Sequence, residues 1–208
     1  MGKINYLSID LEATGLNEKD YIIEFAAFPF DPYHFQAPIP SHLFFHESIW
    51  CPSFQELSPS LDPWVKEHNQ DLIQKAHNGG LSHDQFRLKL QHYLEQKELL
   101  DFFGLTSYDN ENKIILFGKS MSALDLPFLN RDLGWNFMRK YFSHRNLDLS
   151  SVVIGLIDLG LLPPECIKGS ELCKYLLNMD VAHNALDDAI NCAKMYSLLI
   201  NKIKILKT

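Results

Sequence analysis

Residues 3–16, which read KINYLSIDLEATGL, contain the segment that decides the fold. Lys3–Asp10 predicts a β-strand, and its mostly apolar side chains indicate burial on both faces of a sheet. Asp10 and Glu12 are two residues apart, so their side chains point to the same face of a strand. Two neighbouring carboxylates repel each other, and a bound divalent cation would relieve that repulsion. From this pair alone, a metal site and a strand end that enters solvent are equal alternatives.

Farther along the chain, strand patterns give way to alternating strand and helix patterns, which indicates a single α/β domain over residues 1–208. A turn at Thr14-Gly15 offers backbone N–H groups that are suited to a phosphate. We expect a mixed five-stranded sheet with its first three strands antiparallel, flanked by helices. The predicted strands are Lys3–Asp10, Tyr21–Phe28, His42–His46, Ile114–Phe117 and Asn146–Leu149. The predicted helices run from Asp62-Pro63 to before Asn78, from Ser82 to about Leu100, and over Leu126–Leu133, Trp135–Phe142, Ser151–Leu159, Ser170–Leu177 and Leu186–Lys202.

The composition suits one core and a small substrate. Of the 208 residues, 46% are hydrophobic, which is enough for one compact domain. The formal net charge of −7 argues against a basic face that grips long nucleic acid, but it is compatible with a substrate held at a metal centre. The four cysteines lack zinc-site spacing and indicate reduced thiols, and we find neither a signal peptide nor a membrane-length apolar run. We therefore expect a cytoplasmic protein without membrane contact.

Two further acidic motifs follow the fourth strand and open the last helix. Asp125 precedes Leu126-Pro127, and taken alone such an aspartate is more often a helix N-cap than a metal ligand. His183 precedes Asp187 and Asp188, and acids in a first helical turn are commonly partners of the helix dipole. Helical spacing would pair His183 with Asp187, whereas a His183 in the preceding loop would pair with Asp188. The order of these motifs after the first carboxylate pair favours one combined site.

With these three motifs in order, the sequence resembles the DEDDh 3′→5′ exonucleases, which have an RNase H-like fold. The motifs are Ile9-Asp10-Leu11-Glu12-Ala13-Thr14-Gly15-Leu16, Phe117-Gly118-Lys119-Ser120 continuing to Asp125, and His183-Asn184-Ala185-Leu186-Asp187-Asp188-Ala189. The segment Tyr21-Ile22-Ile23-Glu24-Phe25-Ala26 also matches the second strand of that family. The resemblance therefore spans nearly the whole chain.

The resemblance implies a chemical role for each motif. His183 would be the general base paired with Asp188, and Asp187 would not bind metal. Two divalent cations, Mg²⁺ or Mn²⁺, would be held by the carboxylates of Asp10, Glu12, Asp125 and Asp188. The implied reaction is hydrolysis of the 3′-terminal phosphodiester, which releases a nucleoside 5′-monophosphate.

Within that group the chain looks most like an oligoribonuclease. Three segments carry this resemblance: Leu61-Asp62-Pro63-Trp64, Asn78-Gly79-Gly80-Leu81 and His144-Arg145-Asn146-Leu147-Asp148-Leu149-Ser150. It implies a homodimer that degrades short single-stranded RNA, including dinucleotides. Leu16 would wedge against the terminal bases, and three side chains would cap the 5′ phosphate. The residues expected to bind substrate are Thr14, Gly15, Leu16, Trp64, His68, Ser120, His144, Arg145 and Ser150, of which Ser120, Arg145 and Ser150 would form the cap.

Several alternatives stay open in the sequence. His144 stands where oligoribonucleases carry a Tyr that reaches across the dimer interface. Either His68 or Asn69 occupies the place of a base-contacting His after Trp64. The competing functions are a DEDDh exonuclease that acts on longer RNA, as RNase T-like enzymes do, or that proofreads DNA, a binding module that has lost catalysis, and a metal-binding structural protein.

Overall fold

The computed structural model describes residues 6–35, 40–109, 111–181 and 184–205. Within these ranges the chain forms a five-stranded sheet, α-helices on both of its faces and 3₁₀ helices at Ser41–Leu43 and Pro164–Ile167. The strands are β1 (Tyr6–Ala13), β2 (Ile22–Phe30), β3 (Phe45–Ser48), β4 (Ile114–Gly118) and β5 (Phe142–Asp148). The helices are α1 (Phe54–Leu57), α2 (Pro63–His68), α3 (Gln70–Gly79), α4 (His83–Glu95), α5 (Lys97–Phe103), α6 (Asp125–Leu133), α7 (Trp135–Tyr141), α8 (Leu149–Asp158), α9 (Gly169–Leu177) and α10 (Ala185–Ile205).

Strand β1 lies at the centre of the sheet, whose order is β3-β2-β1-β4-β5. Among the described residues, it pairs antiparallel with β2 over Tyr6–Ala13 but parallel with β4 only over Tyr6–Ser8. β2 pairs antiparallel with β3, and β4 pairs parallel with β5. The predicted mixed sheet is therefore confirmed. Because β4 ends at Gly118, the second half of β1, which contains Asp10 and Glu12, extends beyond it.

Helices pack on both faces of this sheet. Leu7 and Ile9 of β1 belong to a buried cluster that includes side chains of α4, α6 and α7. Phe28 and Phe30 of β2 belong to a second cluster, with side chains of α8, α9 and α10. Burial of each large apolar side chain contributes about 1.5–3 kcal/mol. No helix in the described part of the chain is both long and apolar enough to span a membrane.

The ends of several strands differ from the predicted ends. β2 continues through Pro29 to Phe30, two residues beyond its predicted end at Phe28. Because β3 pairs only with Glu24–Ala27, one side of β2 is unpaired at Pro29, and the missing N–H is tolerated there. β3 begins later than predicted, after the first 3₁₀ helix, and β5 begins earlier, at Phe142. β1 extends to Ala13, so both carboxylates of the first motif lie within the strand.

Two predicted helices are each divided by a residue with non-helical backbone. Asn69 (φ −107°, ψ 8°) separates α2 from α3, and Gln96 (φ −66°, ψ 140°) separates α4 from α5. The predicted starts of both helices are confirmed, since Asp62 caps α2 and Ser82 caps α4 through side-chain hydrogen bonds. The break at Asn69 matters for the site, because it turns this residue toward the end of β1.

Candidate active site

An acidic cluster forms where the first turn of α10 packs on β1. Ser8, Asp10 and Glu12 alternate along one face of β1, and the Ser8 hydroxyl donates to the Ala189 carbonyl at 2.7 Å. This bond holds α10 against that face. Asp10, Glu12 and Asp188 consequently each place one carboxylate oxygen within 4.8 Å of the others.

Asp125 joins the acidic cluster from α6. It is the first residue of this helix, with Leu124 at the N-cap position and no side-chain cap hydrogen bond, so the interpretation of Asp125 as an N-cap is wrong. The reason is that the Leu124 N–H already bonds to the Ser120 carbonyl, so the turn before Asp125 is already hydrogen-bonded and the helix begins at the predicted cap position itself. Asp125 is 4% exposed and lines the cavity that Asp10 and Asp188 also line.

The pKa values of Asp10, Glu12 and Asp125 are raised, because burial disfavours the charged form and neighbouring carboxylates repel it. Burial, followed by the charge of Asp188, raises the pKa of Glu12 to about 7. Burial also raises the pKa of Asp125 to about 7, against the opposing effect of backbone N–H groups. Burial and then the charges of Asp125 and Asp188 raise the pKa of Asp10 well above its usual range, while Lys119 lowers it.

The chemistry of the acidic cluster fits divalent cations. Four carboxylates supply the oxygen ligands that Mg²⁺ and Mn²⁺ prefer. A bound dication would also offset the mutual repulsion among these carboxylates. By this criterion, Asp10, Glu12, Asp125 and Asp188 are a suitable ligand set, as predicted, although their role as ligands stays a prediction.

Glu24 lies directly across the sheet from Glu12 and has a different environment. Its carboxylate accepts from the Ala185 N–H at 2.9 Å, and it lies 2.9 Å from His46 Nε2 and 3.4 Å from Lys75 Nζ. Burial would raise the pKa of Glu24, but these hydrogen bonds and charges outweigh it, so the pKa is lowered. Glu24 therefore anchors the first residue of α10 as a charged group. The sequence signal for it was a single acid within an otherwise apolar strand.

The acidic cluster opens into a cavity of about 960 Å³. Thr14, Gly15, Leu16 and Trp64, all predicted to bind substrate, line it. Leu16 is 76% exposed, as a wedge against bases would require. Thr14 is buried, and its N–H and hydroxyl are bonded to Tyr21, so its N–H is not the free donor that the turn suggested.

Of His68 and Asn69, only Asn69 lines the cavity. Which of the two contacts a base stays a prediction. The His68 ring stacks on Trp64 with centroids 4.4 Å apart, but it lies outside the set of cavity-lining residues. Asn69 is buried, lines the cavity and donates to the Ala13 carbonyl at 3.2 Å. Asn69 thus connects the break between α2 and α3 to the end of β1.

The residues predicted to cap a 5′ phosphate are brought together in part. The hydroxyls of Ser120 and Ser150 are 3.0 Å apart, and Asp148 accepts from the backbone N–H of each. Ser120 has a positive φ of 56° and lines the cavity. His144 and Arg145 are exposed on β5 and do not line it. The structure therefore supports the serine pair as a unit and leaves the other two side chains on the surface.

The third motif is divided between described and undescribed residues. His183, the predicted general base, lies outside the described residues. Asp187 is exposed and forms reciprocal hydrogen bonds with Asn184 at 2.8 and 2.9 Å, so it is engaged at the start of α10. Asp188 is the acid that reaches the acidic cluster. Lys119 and Asn191 also line the cavity, and the sequence had given no reason to single them out.

Neither a protein-family model nor a curated protein matches the chain. Solved structures do. The nuclease domain of 3′hExo, a DEDDh family member bound to rAMP, matches with a TM-score of 0.62 at 17% identity, over 96% of this chain and 93% of that chain. S. pombe Pop2p, in a form with Mg²⁺ and Mn²⁺, matches with a TM-score of 0.61 at 16% identity, over 95% and 83%.

A larger protein is similar as well. E. coli exonuclease I in complex with a dA16 oligonucleotide matches with a TM-score of 0.65 at 14% identity, over 98% of this chain but only 42% of that chain. At these identities the likeness shows the fold. The chain has the RNase H-like fold of DEDDh 3′-exonuclease domains, as its motifs predicted.

Proposed function

We propose that the protein is a metal-dependent 3′→5′ exonuclease that degrades short single-stranded RNA to nucleoside 5′-monophosphates. The observation that carries this proposal is the convergence of Asp10, Glu12 and Asp188 within 4.8 Å, beside the buried Asp125, in a large cavity of an exonuclease fold. Of these four residues, only Asp10 and Glu12 are close in sequence. A structural role alone would not require four mutually repelling carboxylates.

We assign the following roles in the reaction to residues of the chain. Asp10, Glu12, Asp125 and Asp188 would hold two divalent cations, Mg²⁺ or Mn²⁺. When bound, such cations polarise the phosphodiester and lower the pKa of water. His183 would accept the proton of the attacking water. The Ala185 N–H, bonded to Glu24, would keep the first turn of α10 in place during turnover.

Support for a short RNA substrate comes from the distribution of cavity groups. Leu16 and the exposed, His68-stacked Trp64 offer apolar surface on which bases can stack. Ser120 lines the cavity, its hydroxyl lies 3.0 Å from that of Ser150, and the pair offers hydroxyl donors for a 5′ phosphate. A 5′-phosphate site at this pair would favour RNA chains short enough to end there.

Two further properties are part of the proposal. A homodimer would be formed through β5, which is one of the two edge strands of the sheet and carries the exposed His144 and Arg145. Cytoplasmic action is compatible with the four cysteines, all of which are unpaired and buried. Light scattering on the purified protein tests the first point, since a monomer at all concentrations would contradict it.

The test of function is a nuclease assay on a panel of substrates. The protein is incubated with Mn²⁺, Mg²⁺ or EDTA and with 5′-labelled RNAs from dinucleotides to oligomers of about twenty nucleotides, beside matched DNAs. We expect metal-dependent shortening from the 3′ end, fastest for the shortest RNAs. The released product should be a nucleoside 5′-monophosphate.

The same panel separates the alternatives. Even degradation of long RNA or DNA would support the exonuclease but contradict the short substrate. Inactivity on every substrate with both metals would contradict the enzyme and leave a binding module. Asp188→Asn serves as the inactive control, because it removes one carboxylate without changing the size of the side chain.

A further inference from the structure

The cavity has a group of lining residues that the proposed function does not use. We call it the basic wall and define it by Lys119, Gly169, Ser170 and Asn191. Lys119 follows the end of β4, Gly169 and Ser170 begin α9, and Asn191 lies one turn along α10 from Asp188. Three separate elements thus bring donors to the same cavity as the acidic cluster.

Lys119 is placed at the start of α9 by the absence of a side chain at Gly169. A Cβ atom on Gly169 would lie 2.6 Å from Lys119 Nζ and 3.3 Å from Lys119 Cδ. The ammonium group therefore lies at the positive end of a helix dipole, which is an unfavourable place for a cation. Among the residues that the structure describes, Lys119 forms no hydrogen bond or ion pair. Its positive charge lowers the pKa of Asp10 without such a contact.

Helix α9 begins without a side-chain cap. Lys168 occupies the N-cap position and makes no cap hydrogen bond. The first helical bond runs from the Leu172 N–H to the Lys168 carbonyl, so the N–H groups of Gly169 and Ser170 have no backbone partner in the described ranges. Glu171 lies in this first turn but does not line the cavity. Free N–H groups at a helix N-terminus favour an anion.

Asn191 gives an independent indication of a ligand. It is 5% exposed and lines the cavity. Its side-chain amide forms no hydrogen bond with any part of the chain that the structure describes. Because a buried amide without a partner is destabilising, a group in the cavity that accepts from its NH₂ is expected.

We propose that the basic wall binds one phosphate group through Lys119 Nζ, the N-terminal N–H groups of α9 and the Asn191 amide. Each of these groups can donate an N–H hydrogen bond, and the charge and the dipole are both positive, so the wall matches an anion. The proposal rests on the proposed function only for the origin of the phosphate. The origin is either a phosphodiester of bound RNA or the 5′-phosphate of the released nucleotide.

Binding without metal tests this inference separately from turnover. Calorimetric titrations in EDTA use inorganic phosphate, adenosine 5′-monophosphate, the dinucleotide ApA and adenosine. We expect the wild type to bind phosphate, and to bind adenosine 5′-monophosphate at least about tenfold more tightly than adenosine. Tighter binding of ApA would identify the phosphodiester as the ligand, and tighter binding of the mononucleotide would identify the product phosphate.

Variants assign the binding to the basic wall. Lys119→Met should weaken binding of the mononucleotide by about tenfold to 100-fold, because a hydrogen bond from a charged group is lost. Gly169→Ala should weaken it as well, by displacing the flexible end of Lys119. Asn191→Leu removes the buried donor. Lys174→Met is the matched control, since it removes one positive charge from the exposed side of α9 and should leave binding unchanged.

The outcomes that overturn the inference are specific. One is a wild type that binds neither phosphate nor the mononucleotide better than adenosine. The other is wild-type affinity in both Lys119→Met and Gly169→Ala, with the folding of each variant checked by thermal unfolding. Because no step requires metal or hydrolysis, an inactive nuclease would leave this test intact.

Discussion

Glu12 and Glu24 lie opposite each other on neighbouring strands, yet their carboxyl groups have opposite pKa shifts. Glu24 is the more buried residue and has the lowered pKa, because His46, Lys75 and the Ala185 N–H surround it. The pKa of Glu12 is raised to about 7 by burial and the acids beside it. The comparison shows that partners, rather than burial alone, separate an anchoring carboxylate from one that can bind metal.

The largest expected effect is on turnover. Asp188→Asn should reduce metal-dependent exonuclease activity by about a thousandfold or more, because one ligand of the cation pair is lost. Glu24→Gln, the matched variant outside the acidic cluster, should retain most of the activity per folded molecule. Initial rates on a short labelled RNA measure both. Near wild-type activity in Asp188→Asn would remove the acidic cluster from the mechanism.

The next effect is stabilisation of the folded state by metal. Saturating Mn²⁺, at about a hundred times its dissociation constant, should raise the free energy of unfolding by about 2.7 kcal/mol for each bound ion. Thermal unfolding with and without Mn²⁺ measures this at constant ionic strength. The increase should persist in Glu24→Gln and shrink in Asp188→Asn. An equal increase in all three proteins would indicate that Mn²⁺ binds elsewhere.

Glu24→Gln should destabilise the protein by about 2 kcal/mol near neutral pH, because buried hydrogen bonds to a charged group are weakened. The pKa of Glu24 is lowered from its ordinary value of 4.5, so its contribution is present above that pH and is lost as pH falls through the lower folded value. Denaturant unfolding at several pH values measures the difference from wild type. A difference that stayed constant down to strongly acidic pH would contradict this assignment.

The smallest expected effect is that of Glu12→Gln, which should stabilise the protein, whereas Glu24→Gln should destabilise it. The folded-state pKa of Glu12 is raised to about 7, so between its ordinary pKa and pH 7 the unfolded chain releases a proton that the folded protein keeps. Wild-type stability therefore falls over this range when metal is absent. Glu12→Gln should abolish that loss and stabilise the metal-free protein by about 1 kcal/mol above pH 7, after allowance for solvent screening. Denaturant unfolding in EDTA should show no gain at pH 4.

Much of the fold was predictable because local patterns carry it. The alternation along β1, the caps at Asp62 and Ser82 and the order of the acidic motifs all depend on neighbours in sequence. The breaks at Asn69 and Gln96 were missed, because helical periodicity continues across both. Tertiary contacts, such as the bond from Asn69 to the Ala13 carbonyl, decide the first of them.

The acidic residues of the site could be predicted from the sequence, but the residues that surround them could not. Asp10, Glu12, Asp125 and Asp188 follow from motifs, although the choice of Asp188 over Asp187 needed a family resemblance. The partners of Glu24 come from β3, α3 and α10, and no spacing in the sequence relates these segments. Lys119 depends on a glycine far along the chain for its position. Such contacts become visible only once the elements are packed.

The most direct test of the central claim is the number of Mn²⁺ ions that the acidic cluster binds. Electron paramagnetic resonance of free Mn²⁺ during a titration measures it for wild type, Asp188→Asn and Glu24→Gln. We predict about two ions bound by wild type and by Glu24→Gln, and a loss of at least one in Asp188→Asn. No binding by wild type, or the same number bound by Asp188→Asn, would contradict the assignment of these carboxylates to a metal-dependent active site.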